Sequence, residues 1–321
     1  MRAPRHNLRC MMKRFGLKRM AAFQCCALAV LTLAAIARIS AQTNAASVGE
    51  FSFIVAGDMR NYLEPLPGGK HQFDGTCEAI RQAGPGEFMV LPGDFDPPGA
   101  VRAMIDQHLG TNYFCYYVVG DHEAQTPASM DWFRRWGRTE IPHRVRRGPP
   151  GAETTVYAFD FANSHFAVLS DYFDGKTDAA KPDLSDAEIA WLKKDLAANR
   201  QPLVWVLCHK PIECLPDMDS GRLRHAGDSL IIDPARRARF VALLKQFHVR
   251  GLICGHTHGY SVEKVQGLWQ ADSGHARGAG DLGAPSTFLK FHVAGETTSV
   301  DIYRADANGD HYQLRKTVEL N

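Results

Sequence analysis

Almost no net charge is left on this chain of 321 residues: 37 lysines and arginines stand against 35 aspartates and glutamates, a formal balance of +2. Such a balance gives no reason to expect nucleic acid or an anionic membrane surface as partner, and many of the basic residues fall near the amino terminus. The one local basic run, Arg144 to Arg147, reads as a solvated loop, with an anionic contact as the less favoured reading. No G-x-S-x-G turn and no G-x-x-x-x-G-K-[ST] loop occurs, so neither a serine nucleophile elbow nor a phosphate-cradling P-loop is available. Cysteine is scarce beyond the amino-terminal segment, where only Cys77, Cys115, Cys208, Cys214 and Cys254 remain. An odd set cannot pair completely within the chain. Cys208 with Cys214, or Cys77 with Cys115, are pairings an oxidising compartment would allow, whereas Cys208 and Cys254 at strand ends read as small buried thiols. With 45% hydrophobic and 22% charged residues the chain fits no disorder class and is long enough for one large domain or two small ones.

The first forty-odd residues form a separate object: a basic stretch, the apolar run MAAFQCCALAVLTLAAIA, then small residues. This order predicts a secretory signal over residues 1–41, cleaved after Ala41, followed by a single folded domain over 46–321. An uncleaved membrane anchor is the alternative, because the apolar part approaches the minimum length of a span. Either way the domain is expected to be exported, periplasmic or secreted, without stable membrane insertion once the leader is removed.

From residue 51 onward one event recurs: a short apolar strand breaks at glycine or a polar turn and delivers a titratable side chain. FSFIVAGD ends in Asp58, FMVLPGD in Asp94, FCYYVVGDHE in Asp121, His122 and Glu123, LVWVLCH in His209, and LICGHTH in His256 and His258. Between these strands lie helical patterns at residues 73–83, 100–109, 128–136, 185–199 and 234–247. Ser185 is placed to cap the fourth with Glu188 completing a capping box, and Asp233 with Pro234 to open the fifth. Trp132, Phe133 and Trp136 fall at helical spacing and read as core. Alternating strands and helices predict an α/β layered domain. Two strand groups without an intervening helix, 154–161 with 165–171 and 265–271 with 287–293 and 298–304, predict antiparallel additions, hence a mixed sheet or two stacked sheets. Side chains two apart in an extended stretch share a face, so His256 and His258 are expected to converge on one small object. Ligands of open α/β sheets collect at the carboxyl ends of strands, where these acids and imidazoles gather.

The series Asp58-Met59-Arg60, Gly93-Asp94, Gly120-Asp121-His122-Glu123, His209 and Gly255-His256-Thr257-His258 resembles the calcineurin-like metallophosphoesterase family, which includes purple acid phosphatases and bacterial phosphodiesterases. The likeness spans roughly residues 51–304. It implies a four-layer α-β-β-α sandwich of two mixed sheets with a dinuclear centre at the strand ends. By that resemblance Asp58 and His258 hold a first metal, Asp94 bridges, and Asp121, His209 and His256 hold the second. His122 would contact the phosphoryl group and protonate the leaving oxygen, oriented by Glu123. Carboxylates mixed with imidazoles suit manganese, iron or zinc, and two such ions can generate hydroxide near neutral pH. The expectation is a hydrolase of small-molecule phosphomonoesters or phosphodiesters using metal-bound hydroxide; the alternative is a non-catalytic or one-metal member that binds a phosphorylated ligand.

Two positions depart from the pattern. Arg60 stands where the family has a metal-binding histidine, and a guanidinium neither ligates a metal nor loses its proton. Asp96, Asn61 or His275 are the candidate replacements, while Pro97 stands where purple acid phosphatases have a tyrosine. Asp121 replaces an asparagine, and its charge adds to the centre. Arg60 could offset that charge, either gripping a phosphate oxygen bidentately or pairing with Asp121 or Asp58. Residues 61–70, 139–151 and 213–233, the last with Arg222, Arg224 and His225, are placed to wall the site.

Overall fold

The computed structural model of the protein describes residues 49–60, 73–139, 141–173, 183–281, 283–306, 308–309 and 311–321. The expected leader over 1–41, and Asn61 with the loop 61–70, lie outside the described residues.

Residues Gly49–Asn321 form one compact unit built on two mixed sheets. The first has six strands, in the order β13 (Tyr312–Glu319), β12 (Thr297–Ala305), β11 (Thr287–Ala294), β1 (Glu50–Val55), β2 (Phe88–Leu91) and β3 (Phe114–Tyr117). The second has seven: β4 (Arg144–Arg147), β5 (Tyr157–Phe161), β6 (Ser164–Val168), β7 (Leu203–Leu207), β8 (Gly251–Cys254), β10 (Leu268–Ser273) and β9 (Tyr260–Val265). The strands that deliver the acids, β1, β2 and β3, run parallel side by side, and so do β6, β7 and β8.

The parallel strands are apolar along their whole length because both faces are covered. On β7, Leu203, Trp205 and Leu207 point into the core between the sheets, while Val204 and Val206 face the outer helices. Helices α5 (Asp186–Ala198) and α6 (Pro234–Gln246) supply Leu192, Leu196, Phe240 and Leu244 to that outer layer. Against the first sheet lie α1 (Asp74–Ala83), α2 (Pro98–Leu109) and α4 (Pro127–Thr139), with one turn of helix, α3 (Asp121–Ala124), before the last. The sheets meet through aromatic rings: Phe53 of β1 stacks on Phe291 at 4.7 Å and meets Phe166 of β6 edge-on at 5.5 Å. The result is the α-β-β-α sandwich that the strand pattern and the resemblance implied.

Two of the three cap signals acted as their chemistry dictates, while the Glu188 carboxylate accepts from the Ser170 backbone N–H at 2.6 Å instead of closing a capping box on Ser185. Ser185 Oγ accepts from the Glu188 backbone N–H at 3.3 Å, and Asp233 accepts from that of Arg236 at 2.6 Å. Phe133 is fully buried and Trp136 nearly so, packed on Phe95 and Tyr117.

Three other expectations need correction. Arg144–Arg147 is not a loop but an edge strand pairing with β5, its side chains alternating between half-buried and exposed. Residues 265–271 are not one strand paired with 287–293: Gln266 and Gly267, both at positive φ, turn the chain between β9 and β10, while β11 pairs with β1 and β12 in the other sheet. The apolar periodicity ran straight through a two-residue hairpin. Neither proposed disulfide forms: Cys77, Cys115, Cys208, Cys214 and Cys254 are all free thiols.

Candidate metal centre

Each parallel strand ends in a tight turn that lifts one acid or imidazole above the sheet edge. Asp58 (φ 54°), Asp94 (φ 55°), His256 (φ 74°) and His258 (φ 58°) all adopt the left-handed backbone region, which costs a non-glycine residue energy and persists only where its surroundings impose it. The two histidines of GHTH therefore do not share a face through extended backbone, as spacing suggested; two left-handed turns aim them at different partners. The preceding glycines make room. A Cβ on Gly120 would lie 2.3 Å from Asp94 Oδ1, and one on Gly255 would lie 2.4 Å from Asp58 Oδ2.

The acids and His122 follow strands of the first sheet, and His209, His256 and His258 follow strands of the second. Asp121, His209 and His256 bring ligand atoms within 4.8 Å of one another, as do Asp58, Asp94 and His258, and as do Asp94, Asp121 and His122. His209 Nδ1 donates to Pro92 O at 2.7 Å, leaving Nε2 to face Asp121 Oδ1 at 3.2 Å and His256 Nδ1 at 3.2 Å. His256 Nε2 lies 2.9 Å from Asp228 Oδ2, and His258 Nδ1 contacts Asp281 Oδ2 while its Nε2 lies 3.6 Å from Asp58 Oδ1. Each imidazole is thus oriented through one nitrogen and presents the other to the cluster, the arrangement by which outer partners fix a metal-facing tautomer. Asp228 and Asp281 escaped sequence reading because each sits in a loop with no strand-end signal; a lone aspartate there looks like any solvated turn.

Electrostatics record the crowding of charge. Burial, then the charges of Asp94 and Asp272, push Asp58 well above the usual carboxylate range against the pull of His209. Burial works against charge on Asp121 too, but bonds to His209 and His256 hold it well below that range. Burial opposes protonation of His209, yet Asp94, Asp121 and Asp58 together raise it. Burial carries His258 down to about 3, with Arg224 adding to the effect.

The donor set fits metal ions on an independent observation. Asp58 is fully buried, and its Oδ1 has no hydrogen-bond partner although it points towards His258 Nε2. A buried carboxylate oxygen without a partner is costly unless a cation faces it.

Other expected site residues are placed differently. Glu123 does not orient His122. Its buried carboxylate accepts from the backbone N–H groups of Asp94 and Gly120, both at 2.9 Å, and of Phe95 at 2.7 Å, so it pins two strand ends together. Burial and Asp94 raise it to about 8. His275 is no replacement ligand: its Nε2 donates to Ala284 O at 2.9 Å and its Nδ1 accepts from Arg277 N at 3.3 Å. Arg60 pairs with Asp96 through Nε at 3.1 Å and reaches His122 Nε2 at 2.5 Å, rather than pairing with Asp58 or Asp121. Cys208 and Cys254 lie in the apolar core beneath the second sheet, away from any ligand role.

The model of the calcineurin-like phosphoesterase family matches residues 51–260. Tartrate-resistant acid phosphatase type 5 of Rattus norvegicus and of Mus musculus are each 24% identical over 199 residues, 56% of this chain and 56% of theirs. The chain therefore spans about half the length of the curated relatives it matches. Among solved structures, PhoD aligns at 11% identity with a TM-score of 0.55, over 85% of this chain and 70% of that one. GAP50, described as the anchor in the inner membrane complex of Plasmodium, aligns at 14% and 0.54, over 85% and 89%. At these identities the structural likeness speaks for the fold alone.

Proposed function

The chain belongs to the calcineurin-like phosphoesterase family, and from that premise we propose that it is a metal-dependent hydrolase of small-molecule phosphomonoesters or phosphodiesters. The observation that carries the reading is a pair of adjacent ligand clusters with Asp94 between them, one of which contains the unpartnered carboxylate oxygen of Asp58. In this reading Asp58 and His258 hold one ion, Asp121, His209 and His256 the other, and Asp94 bridges. The mixture of carboxylates and imidazoles suits manganese, iron or zinc. Bound there, the ions supply neutralisation of phosphoryl oxygens and acidify a water.

The chain's own residues do the rest. Asp228 and Asp281 hold the imidazole rings in register, and Glu123 fixes the spacing of Asp94 and Asp121. Arg60 and His122, each about a quarter exposed, stand at the rim and meet the phosphoryl group. The proposal includes export, resting on the sequence of residues 1–41; no helix among the described residues is long and apolar enough to cross a membrane.

Elemental analysis of chelator-free protein is expected to find two transition-metal ions per chain. Hydrolysis of p-nitrophenyl phosphate or its bis ester is expected to vanish with chelator and return with manganese. Arg60 favours a second reading, in which a first cluster deprived of the family's histidine stays empty and the protein works with one ion or only binds. One ion per chain after manganese is supplied, with or without turnover of either ester, or no ion and no turnover, would establish that second reading instead.

A further inference from the structure

His165 sits near the start of β6, where strand alternation turns it outward with Ala167, towards the helical layer, while Phe166 and Val168 point inward. Its direct cross-strand neighbour on β5 is Asp160. Helix α5 brings Asp195 onto the same ring, and the edge strand β4 adds Arg146 beside Asp195. Four elements of the second sheet and its outer layer thus meet at one imidazole, which the proposed chemistry at the strand ends does not use.

The ring's Nδ1 lies 2.7 Å from Asp160 Oδ1 and its Nε2 lies 2.8 Å from Asp195 Oδ2. A carboxylate only accepts, so both ring nitrogens donate and the imidazole carries a charge. The side chains of His165 and Asp195 are 3% and 2% exposed, and among the described residues no other hydrogen bond reaches the Asp195 carboxylate. Arg146 Nε stands 2.7 Å from Asp195 Oδ1, but its N–H makes no hydrogen bond there, so Arg146 contributes charge and leaves the bond to His165. Asp160 is less dependent: its side chain is 31% exposed, and its Oδ2 also accepts from Gln201 Nε2 at 3.2 Å.

We propose that Asp160, His165 and Asp195 form a proton-operated latch, closed while the imidazole carries both protons and open towards β5 once it loses one, so that acid ties α5 and the sheet edge together most firmly. When a proton leaves to solvent, one N–H remains. Asp195 has no access to water and Asp160 does, so the N–H stays on Nε2 and Asp160 turns away from a nitrogen that now holds only a lone pair. Burial opposes the charge on His165, yet Asp195 and then Asp160 outweigh it and hold the imidazole above its ordinary value. A group raised in this way contributes stability that is fully present below its unfolded value, about 6.5, and is lost as pH rises through its folded one. The latch is independent of the hydrolase reading.

The test follows the imidazole C–H resonances of the full zinc-loaded chain by nuclear magnetic resonance as pH is raised, with His165 assigned by the signal that His165→Gln removes. A midpoint above about 6.5 is expected, and Asp160→Asn should bring it down. In parallel, melting temperatures of parent and His165→Gln are compared at each pH, so that any pH dependence of metal loading cancels. The parent should lead by about 3 °C or more near pH 6 and by roughly half that or less near pH 9. Should the buried substitution fail to fold, Asp160→Asn at its partly exposed position gives the same comparison and is expected to show the same fading lead. A His165 midpoint at or below about 6.5, or a lead of the parent that stays constant from acid to alkaline pH, overturns the proposal.

Discussion

Asp94→Asn will lower kcat for p-nitrophenyl phosphate by about a thousandfold or more, equivalent to roughly 4 kcal/mol of transition-state stabilisation, and will raise the melting temperature of the metal-free protein. The two effects share one cause. Asp94 belongs to two ligand clusters, one with Asp58 and His258 and one with Asp121 and His122, so losing its charge removes the carboxylate assigned to both proposed ion sites. The same charge works against Asp58 and Glu123 when no cation is present, and although it also supports protonated His209, its removal relieves two buried repulsions for one attraction lost. Asparagine tolerates the left-handed backbone at this position, φ 55°, and the turn should survive. Initial rates together with melting in chelator decide the matter. A variant within tenfold of the parent rate would show that Asp94 does not bridge.

Glu123→Ala is expected to damage stability more than any ligand substitution. Three backbone N–H groups, those of Asp94, Phe95 and Gly120, give their hydrogens to this one buried side chain. Each orphaned donor costs about 1–3 kcal/mol, so the total is on the order of 3 kcal/mol or more, a fall of roughly 6–12 °C in melting temperature for a domain of this size. Activity should fall with it, because the spacing of Asp94 and Asp121 depends on the same carboxylate. Glu123→Gln keeps acceptor capacity on one atom and should recover part of both losses. Melting within 2 °C of the parent, at about the resolution of the measurement, would mean that water or relaxation replaces the carboxylate.

Much of this arrangement was legible before any coordinates. Strand-end Gly-Asp and Gly-His steps carry their own explanation, since glycine clears space and the next residue is lifted off the sheet. Asp58, Asp94, Asp121, His209, His256 and His258 were therefore nameable from local pattern together with the family likeness. What lay beyond reach was non-local. Nothing near Glu123 in the chain says that its partners include residues 94 and 95, and the neighbouring His122 made a catalytic reading attractive. Asp228 and Asp281 orient histidines about 25 residues away in sequence, across loops whose course depends on tertiary packing. The β9–β10 hairpin was missed because its apolar alternation continues through Gln266 and Gly267, which have positive φ but no Asn-Gly or Asp-Gly signature.

The division of ligands between the sheets has a mechanical corollary. With carboxylates on one sheet and imidazoles on the other, a bound cation is a rivet through the sandwich, and its grip depends on how firmly the two plates are held at the right gap. The rings of Phe53 and Phe166, which set that gap from within, touch no ligand, yet Phe166→Ala should loosen the cation as measured by competition with a chelator of known affinity. An affinity unchanged by that substitution would show the rivet insulated from the plates. Where they are coupled, the reverse also holds: cation concentration tunes how tightly the protein's two halves stay closed.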